Sequence, residues 1–293
     1  MKEVGPLRTA LFVPGNRPER IDKAVGTAAD AVIIDLEDSV PISEKHKTRC
    51  IVREKIEEFK GRKIAVRVNA VGTEFVQADL NEIVMKGLWG LMVPKVEGAH
   101  HIEKIHRLLL DQEEKKKIKP GSIGLILLIE TALAVEKIFE VISKKIKPKR
   151  FIIVAFGAAD YALDMGIKLT KTGEELEYPR ARIAVACRAA KMLPPLDTPF
   201  MVDLKDFLAL EEDALRAKRL GFGGKLCIHP NQIEIICRVF SPTQDEIEYA
   251  KKVVNAFQDA EAKGLAAIQI DGKFIDYPVV EHSRRILEIP HDN

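Results

Sequence analysis

With 293 residues, 46% of them apolar and 31% charged, the chain has the profile of a folded globular protein, long enough for one α/β barrel or two ordinary domains. The 46 Lys and Arg nearly balance the 44 Asp and Glu. The resulting charge of +2 gives no electrostatic reason to expect nucleic acid or an anionic membrane as partner. No apolar run reaches the length of a membrane span, and the opening MKEVGPLRTALFVPG lacks a small-residue cleavage site, so a cytoplasmic location is expected. Cys50, Cys187, Cys227 and Cys237 are scattered, without a C-x-x-C pair or a nearby His at zinc-ligand spacing, and are expected to be reduced thiols.

Short aliphatic runs recur along the chain, at 11–14, 31–36, 64–69, 90–94, 123–130, 151–156, 199–202 and 225–229. Most are apolar throughout, as strands buried on both faces are, the third and seventh being weaker. Segments of helical period lie between them, notably 75–86, 101–111, 133–144, 180–192 and 204–220, the last stopping at Gly221. Eight βα repeats predict a closed (β/α)₈ barrel, a TIM barrel, over an open sheet. The barrel is assigned to residues 1–236, and residues 237–293 to a C-terminal extension: a helix over 243–263, a short extended pair and a final helix over 280–287. The charged run DQEEKKKIKP (111–120) reads as a solvated helix end and turn.

In such a barrel the chemistry sits at the carboxyl ends of the strands, so polar residues that close an apolar run are the candidates. Run two closes with Asp35, Glu37 and Asp38; run three contains Arg67 near Asn69; run four closes with Lys95 and run five with Glu130. Run six leads through Gly157 to Asp160, and run eight closes with His229-Pro230-Asn231. A ring of carboxylates with an arginine and no cysteine cluster describes a hard-cation site, with Glu130 and Asp160 as the direct ligands of Mg²⁺. Asp160 has the alternative of capping the following helix, and Arg67 that of a structural ion pair, although its planar fork suits a substrate carboxylate. Alternation of strand faces predicts that Asp35, Glu37 and Asp38 do not all point inward; Glu37 and Asp38, at the strand end, are expected to hold metal-bound waters. The small turn Gly157-Ala158-Ala159 lets backbone N–H groups approach a carboxylate or oxyanion. The turn Pro14-Gly15-Asn16 offers the same and is equally well a simple tight turn.

Taken in order, FVPGNRPER, ADAVIIDLEDSV, AVRVNA, LMVPKVE, LLIETALAV, FGAADYALDMG, YPRARIAVACRAA, GFGGKLCIHPNQI and GKFIDYPVVEHSRR resemble the citrate lyase β-subunit-like branch of the HpcH/HpaI aldolase superfamily. The resemblance implies a (β/α)₈ barrel that assembles as a homotrimer or hexamer, requires Mg²⁺, and makes or breaks a carbon–carbon bond between a 2-oxo acid and an acyl-CoA. It implies Glu130 and Asp160 as metal ligands and Arg67 as the holder of the oxo-acid carboxylate. It further implies Asp276, in a C-terminal lid that crosses to a neighbouring subunit, as the acid/base. Coenzyme A is implied near Phe12, Lys23, Ile228 and His229; without the resemblance His229 reads as a packed or capping residue. Where some relatives carry lysines in the first helix, this chain has Pro18 and Glu19, leaving Arg17, Arg20 or Lys23 for any phosphate contact.

Three other functions compete. The citrate lyase β subunit proper works on a thioester borne by an acyl carrier protein, and a thioesterase on the same scaffold releases free malate from malyl-CoA. A non-catalytic, metabolite-binding subunit is disfavoured by the joint presence of Arg67, Glu130, Asp160 and Asp276.

Overall fold

The computed structural model describes residues 7–288, in two compact units that divide after Cys237. The first is the barrel. Its strands are β1 (Thr9–Pro14), β2 (Ala31–Asp35), β3 (Ile64–Arg67), β4 (Gly90–Val93), β5 (Gly124–Ile129), β6 (Ile152–Phe156), β7 (Leu196–Asp197) and β8 (Gly224–Cys227). All pair in parallel with their sequence neighbours, and β1 closes on β8. This is the barrel that the βα alternation predicts.

The helices that return the chain between strands are α1 (Pro18–Val25), α2 (Lys45–Glu58), α3 (Phe75–Ile83), α4 (Ala99–Lys115), α5 (Ala132–Glu136), α6 (Ile138–Ile142), α7 (Ala158–Met165), α8 (Glu177–Ala189) and α9 (Phe207–Leu220). The single helix expected over 133–144 is broken at Lys137, whose φ of −92° and ψ of 4° leave the helical basin. Helix α9 ends as expected at Gly221, which takes the left-handed conformation with φ of 101° that only glycine adopts freely.

The seventh strand corrects the sequence expectation. It lies at Leu196–Asp197, not at 199–202. Only two residues pair, Leu196 with Ala155 and Gly224, and Asp197 with Lys225. Pro194, Pro195 and Pro199 lack the N–H that a longer ladder needs, so the strand is confined between them. Its second residue is a buried carboxylate, which an apolar-run criterion passes over. Asp197 and Asp213 of α9 interlock with Arg180 of α8 and Lys225 of β8, all four nearly or wholly inaccessible to solvent.

The barrel interior is filled by every second residue of each strand: Ala10, Ala31 and Ile33, Ala65, Met92, Ile126 and Leu128, Ile153 and Ala155, Leu196, Leu226. Continuing that period of two toward the carboxyl ends predicts which side chains face the axis at the mouth. They are Phe12, Asp35, Arg67, Glu130, Gly157, Thr198 and Ile228. None of the four cysteines is in a disulfide; Cys187 and Cys227 are buried, and burial pushes their thiols up to about 12.

Helix α10 (Ile233–Phe240) carries the chain into the second unit, which contains α11 (Gln244–Glu261), β9 (Ala267–Ile270), β10 (Lys273–Asp276) and α12 (Tyr277–Glu288). Thr243 and Glu246 form a reciprocal capping box at the start of α11. The antiparallel β9–β10 hairpin turns at Asp271-Gly272, both with positive φ, as a tight hairpin turn requires. Val253, Phe257, Ile270, Ile275 and Val280 make this unit's own small core. Among the described residues no helix is long and apolar enough to cross a membrane.

Candidate metal and oxo-acid site

Strand register assembles the mouth of the barrel. Asp35 and Arg67 are direct partners across β2 and β3, both on the axial face, and the guanidinium grips the carboxylate with two parallel bonds of 2.7 Å from Nε and Nη2. The ring of Phe12 lies under the guanidinium, 5.2 Å from ring centre to Cζ. Burial pushes the Asp35 carboxyl upward, but the Arg67 fork, with N–H donors from Glu37 and Ser39, outweighs it and leaves the carboxyl below its ordinary range.

Beyond Asp35 the strand ends and the backbone turns, so Glu37 and Asp38 also reach Arg67, whose Nη1 stands 3.3 Å from Glu37 Oε2 and 3.1 Å from Asp38 Oδ2. The expectation that the three acids divide between faces is therefore corrected. Alternation holds within the strand, and the turn that ends it brings the third carboxylate round. Arg67 is thus an ion-pair hub. Burial opposes its charge, and Asp35, Glu37 and Asp38 hold it protonated.

Glu130 follows Leu128 on the axial face and is 2% exposed. Its Oε1 accepts the Lys95 N–H at 2.8 Å. Room for the side chain depends on Gly157, the axial residue of the neighbouring strand, because a Cβ there would stand 2.8 Å from both Cβ and Oε2 of Glu130. Burial foremost, and then the charges of Asp160 and Glu37, push the Glu130 carboxyl up to about 8 against the Lys95 N–H and Arg67. Glu37 is raised to about 7, by burial first and also by Asp38, while Arg67 and Lys95 work the other way.

Asp160 is half-buried in the first turn of α7, whose N-cap is Gly157. Thr198, just past β7, accepts the Ala158 N–H at 3.0 Å and so fixes the Gly157-Ala158-Ala159 turn to the barrel. Sequence reading singled out neither Thr198 nor the main chain of Lys95. The latter had a visible signal, a Pro-Lys pair closing an apolar run; the former had none, since the short β7 was misplaced.

The remaining sequence candidates are Lys23, Ile228, His229 and Asp276. Lys23 is exposed in the last turn of α1. Ile228 and His229 follow β8 and are exposed; His229 Nδ1 accepts the Asn231 N–H at 3.2 Å, which makes it the cap of a short 3₁₀ turn. Asp276 belongs to the second unit, where it closes β10, half-buried, with Oδ1 3.4 Å from the Val279 N–H at the head of α12.

The donor set fits a hard divalent cation. Two carboxyls, Glu130 and Glu37, are pushed upward by burial and by the charges of neighbouring carboxylates, and a dication relieves that repulsion. Glu37 Oε2 is buried without a hydrogen-bond partner, since Arg67 Nη1 is near it but misaligned; an unsatisfied buried acceptor suits a metal-held water. Among the described residues no three Asp, Glu, His or Cys converge as a complete cage. Few protein ligands completed by water and substrate is the habit of Mg²⁺, not of structural Zn²⁺.

Comparison with known proteins agrees. The family model for HpcH/HpaI aldolase/citrate lyase matches residues 8–230. The citrate lyase subunit beta of Leuconostoc mesenteroides subsp. cremoris is 33% identical over 288 residues, covering 98% of this chain and 94% of that one. The mitochondrial citramalyl-CoA lyase of Rattus norvegicus is 29% identical over 294 residues, 97% of this chain and 86% of that one. Among solved structures, the CitE protein of Mycobacterium tuberculosis in complex with magnesium, acetoacetate and coenzyme A superposes with a TM-score of 0.77 at 28% identity, covering 98% of each chain. With three-quarters of its length matched by the model and the same closed barrel, the chain belongs to the HpcH/HpaI aldolase/citrate lyase family, in the branch that holds the citrate lyase β subunits.

Proposed function

We propose that this protein is a Mg²⁺-dependent lyase that cleaves, or forms, a 3-hydroxyacyl thioester, giving a 2-oxo acid and an acyl thioester. The observation that carries the reading is Glu130, a buried carboxyl raised to about 8 at the barrel mouth beside Asp160. Glu130 and Asp160 hold the metal, and Glu37 and Asp38 hold its waters. When bound there, Mg²⁺ supplies Lewis-acid polarisation of the substrate oxygen.

Arg67, fixed by Asp35, orients the oxo-acid carboxylate. The Gly157-Ala158-Ala159 turn lines the approach, with the N–H groups of Gly157 and Ala158 held by the Ile129 carbonyl and Thr198 Oγ1. In cleavage the hydroxyl gives its proton to solvent water and its oxygen becomes the ketone, while the electron pair of the breaking carbon–carbon bond passes to the thioester enolate. Asp276 then protonates the enolate carbon; in condensation it removes the thioester α-proton. Asp276 reaches the site as part of a lid from a neighbouring subunit of a homotrimer or hexamer. Phe12, Lys23, Ile228 and His229 are assigned to coenzyme A, His229 through its exposed ring edge.

Support for coenzyme A as carrier comes from the citramalyl-CoA relative and the coenzyme A complex; support for a carrier protein comes from the 33% identical citrate lyase subunit beta. The test is a Mg²⁺-dependent cleavage assay on citramalyl-, malyl-, methylmalyl- and citryl-CoA, with products identified by mass spectrometry. Metal-dependent release of one oxo acid and an intact acyl-CoA is expected, abolished in Asp276→Asn while Mg²⁺ binding persists. Silence on all four, with cleavage of a carrier-bound citryl thioester, assigns the carrier-dependent activity instead. Free malate from malyl-CoA marks a thioesterase.

A further inference from the structure

Lys95 places a second ammonium at the mouth, beside Lys45, whose Nζ is spent on the Leu36 and Glu37 carbonyls. It follows Pro94 at the end of β4 with a φ of 52°, a left-handed conformation that strains any residue bearing a Cβ and that is found preferentially where function requires it. In that conformation one residue touches both raised carboxyls: its N–H donates to Glu130 Oε1 at 2.8 Å, and its Nζ lies 3.3 Å from Glu37 Oε1.

Arg67 and Lys95 differ in what they have left to give. Arg67 has a side chain 13% exposed, its fork is closed on Asp35, and its Nη1 is shared by Glu37 and Asp38. Lys95 has a side chain 45% exposed and a single long contact among the described residues, which leaves most of its three N–H donors for a ligand. Burial opposes its charge, yet Glu37, Asp38 and Asp160 together hold it protonated. An ammonium on a flexible stem, next to a carboxylate it binds only at long range, can turn toward an incoming anion, whereas the guanidinium meets it from a fixed position.

We propose that the Lys95 ammonium leaves Glu37 when substrate enters and takes an oxygen of the 2-oxo acid's own carboxylate, while its main-chain N–H goes on aiming Glu130. This rests on the lyase reading above. Lys95 therefore recognises the group common to all 2-oxo acids and does not select among them.

The test is calorimetric binding of pyruvate, glyoxylate and oxaloacetate to the full-length, Mg²⁺-saturated protein, with Mn²⁺ affinity followed in parallel by electron paramagnetic resonance. Lys95→Met, which keeps the stem and the backbone strain, is expected to weaken all three acids by about tenfold or more, the effect of losing one charged hydrogen bond. Mn²⁺ affinity is not weakened, and Lys95→Arg recovers most of the loss. Adding Glu37→Gln to Lys95→Met does not restore binding, because the lost contact is to the ligand and not to Glu37. Unchanged affinity in Lys95→Met, recovery on adding Glu37→Gln, a loss confined to oxaloacetate, or a fall in Mn²⁺ affinity that accounts for the whole effect each overturns the proposal and leaves the lyase reading standing. If the unaltered Mg²⁺-loaded protein binds none of the three acids, the lyase reading itself fails and takes the role of Lys95 with it.

Discussion

Replacing Glu130 with Gln should stabilise the metal-free protein while destroying its metal site. In the unfolded chain this carboxyl ionises near 4.5; in the fold it ionises near 8. Below the lower value it is neutral in both states and contributes no pH dependence. Between the two the unfolded chain releases the proton and the fold keeps it, so each pH unit favours unfolding by about 1.4 kcal/mol. Above the upper value both states are ionised and the penalty levels off, with a ceiling of about 5 kcal/mol over that interval. Gln carries no charge to desolvate, and its Oε1 can still accept the Lys95 N–H.

If half of the ceiling is realised, a domain of this size melts roughly 5–10 °C higher as Glu130→Gln than as the unaltered protein at roughly pH 8.5 in chelator. The gap closes as the pH falls toward about 5. Saturating Mg²⁺ should reverse the order, because only the unaltered protein gains binding free energy, about 2.7 kcal/mol at a hundredfold excess over Kd. Thermal melts of both proteins at the two pH values, with chelator and with Mg²⁺, make the measurement. A variant that melts at or below the unaltered protein at high pH without metal would refute the argument that Glu130 is an electrostatically strained ligand.

The same carboxyl makes metal binding pH-dependent: Mg²⁺ must displace the proton that Glu130 holds up to about 8, so affinity should rise by up to about tenfold per pH unit from roughly pH 6 to 8 and then level. Calorimetry in buffers of different ionisation enthalpy checks this through proton release, and a flat profile contradicts it. Away from the site, Lys225→Met leaves Asp197 and Asp213 facing only Arg180 in a wholly buried quartet, and removal of one partner from such a cluster costs about 3–5 kcal/mol. Urea denaturation should show that loss; a change below about 1 kcal/mol would mean that water or a shifted side chain replaces the ammonium.

What could be read from the chain alone follows from the periodicities of regular structure. Apolar runs of strand length alternating with helical period dictate parallel βα units, and eight of them dictate closure. The same period of two, carried past Leu128 to Glu130 and past Ala65 to Arg67, puts these side chains at the carboxyl end of the barrel before any coordinates are seen. Nine short segments in a fixed order are enough to place the family. The strand that was misplaced, β7, failed for a local reason: three prolines and a buried aspartate leave two pairing residues and no apolar run to detect.

Only the tertiary structure decided what each polar side chain has for company. Whether Arg67 is free for a substrate or closed on Asp35 depends on the register between β2 and β3, and Asp38 joins it because a turn defeats the alternation of faces. That the Lys95 main chain feeds Glu130 depends on a left-handed φ which no residue type at that position announces. The raised Glu130 carboxyl arises from burial and from the charges of Asp160 and Glu37, 30 and 93 residues away in sequence, against the pull of the Lys95 N–H. Local chemistry is written along the chain, but electrostatics depends on distance through space, and folding alone sets those distances.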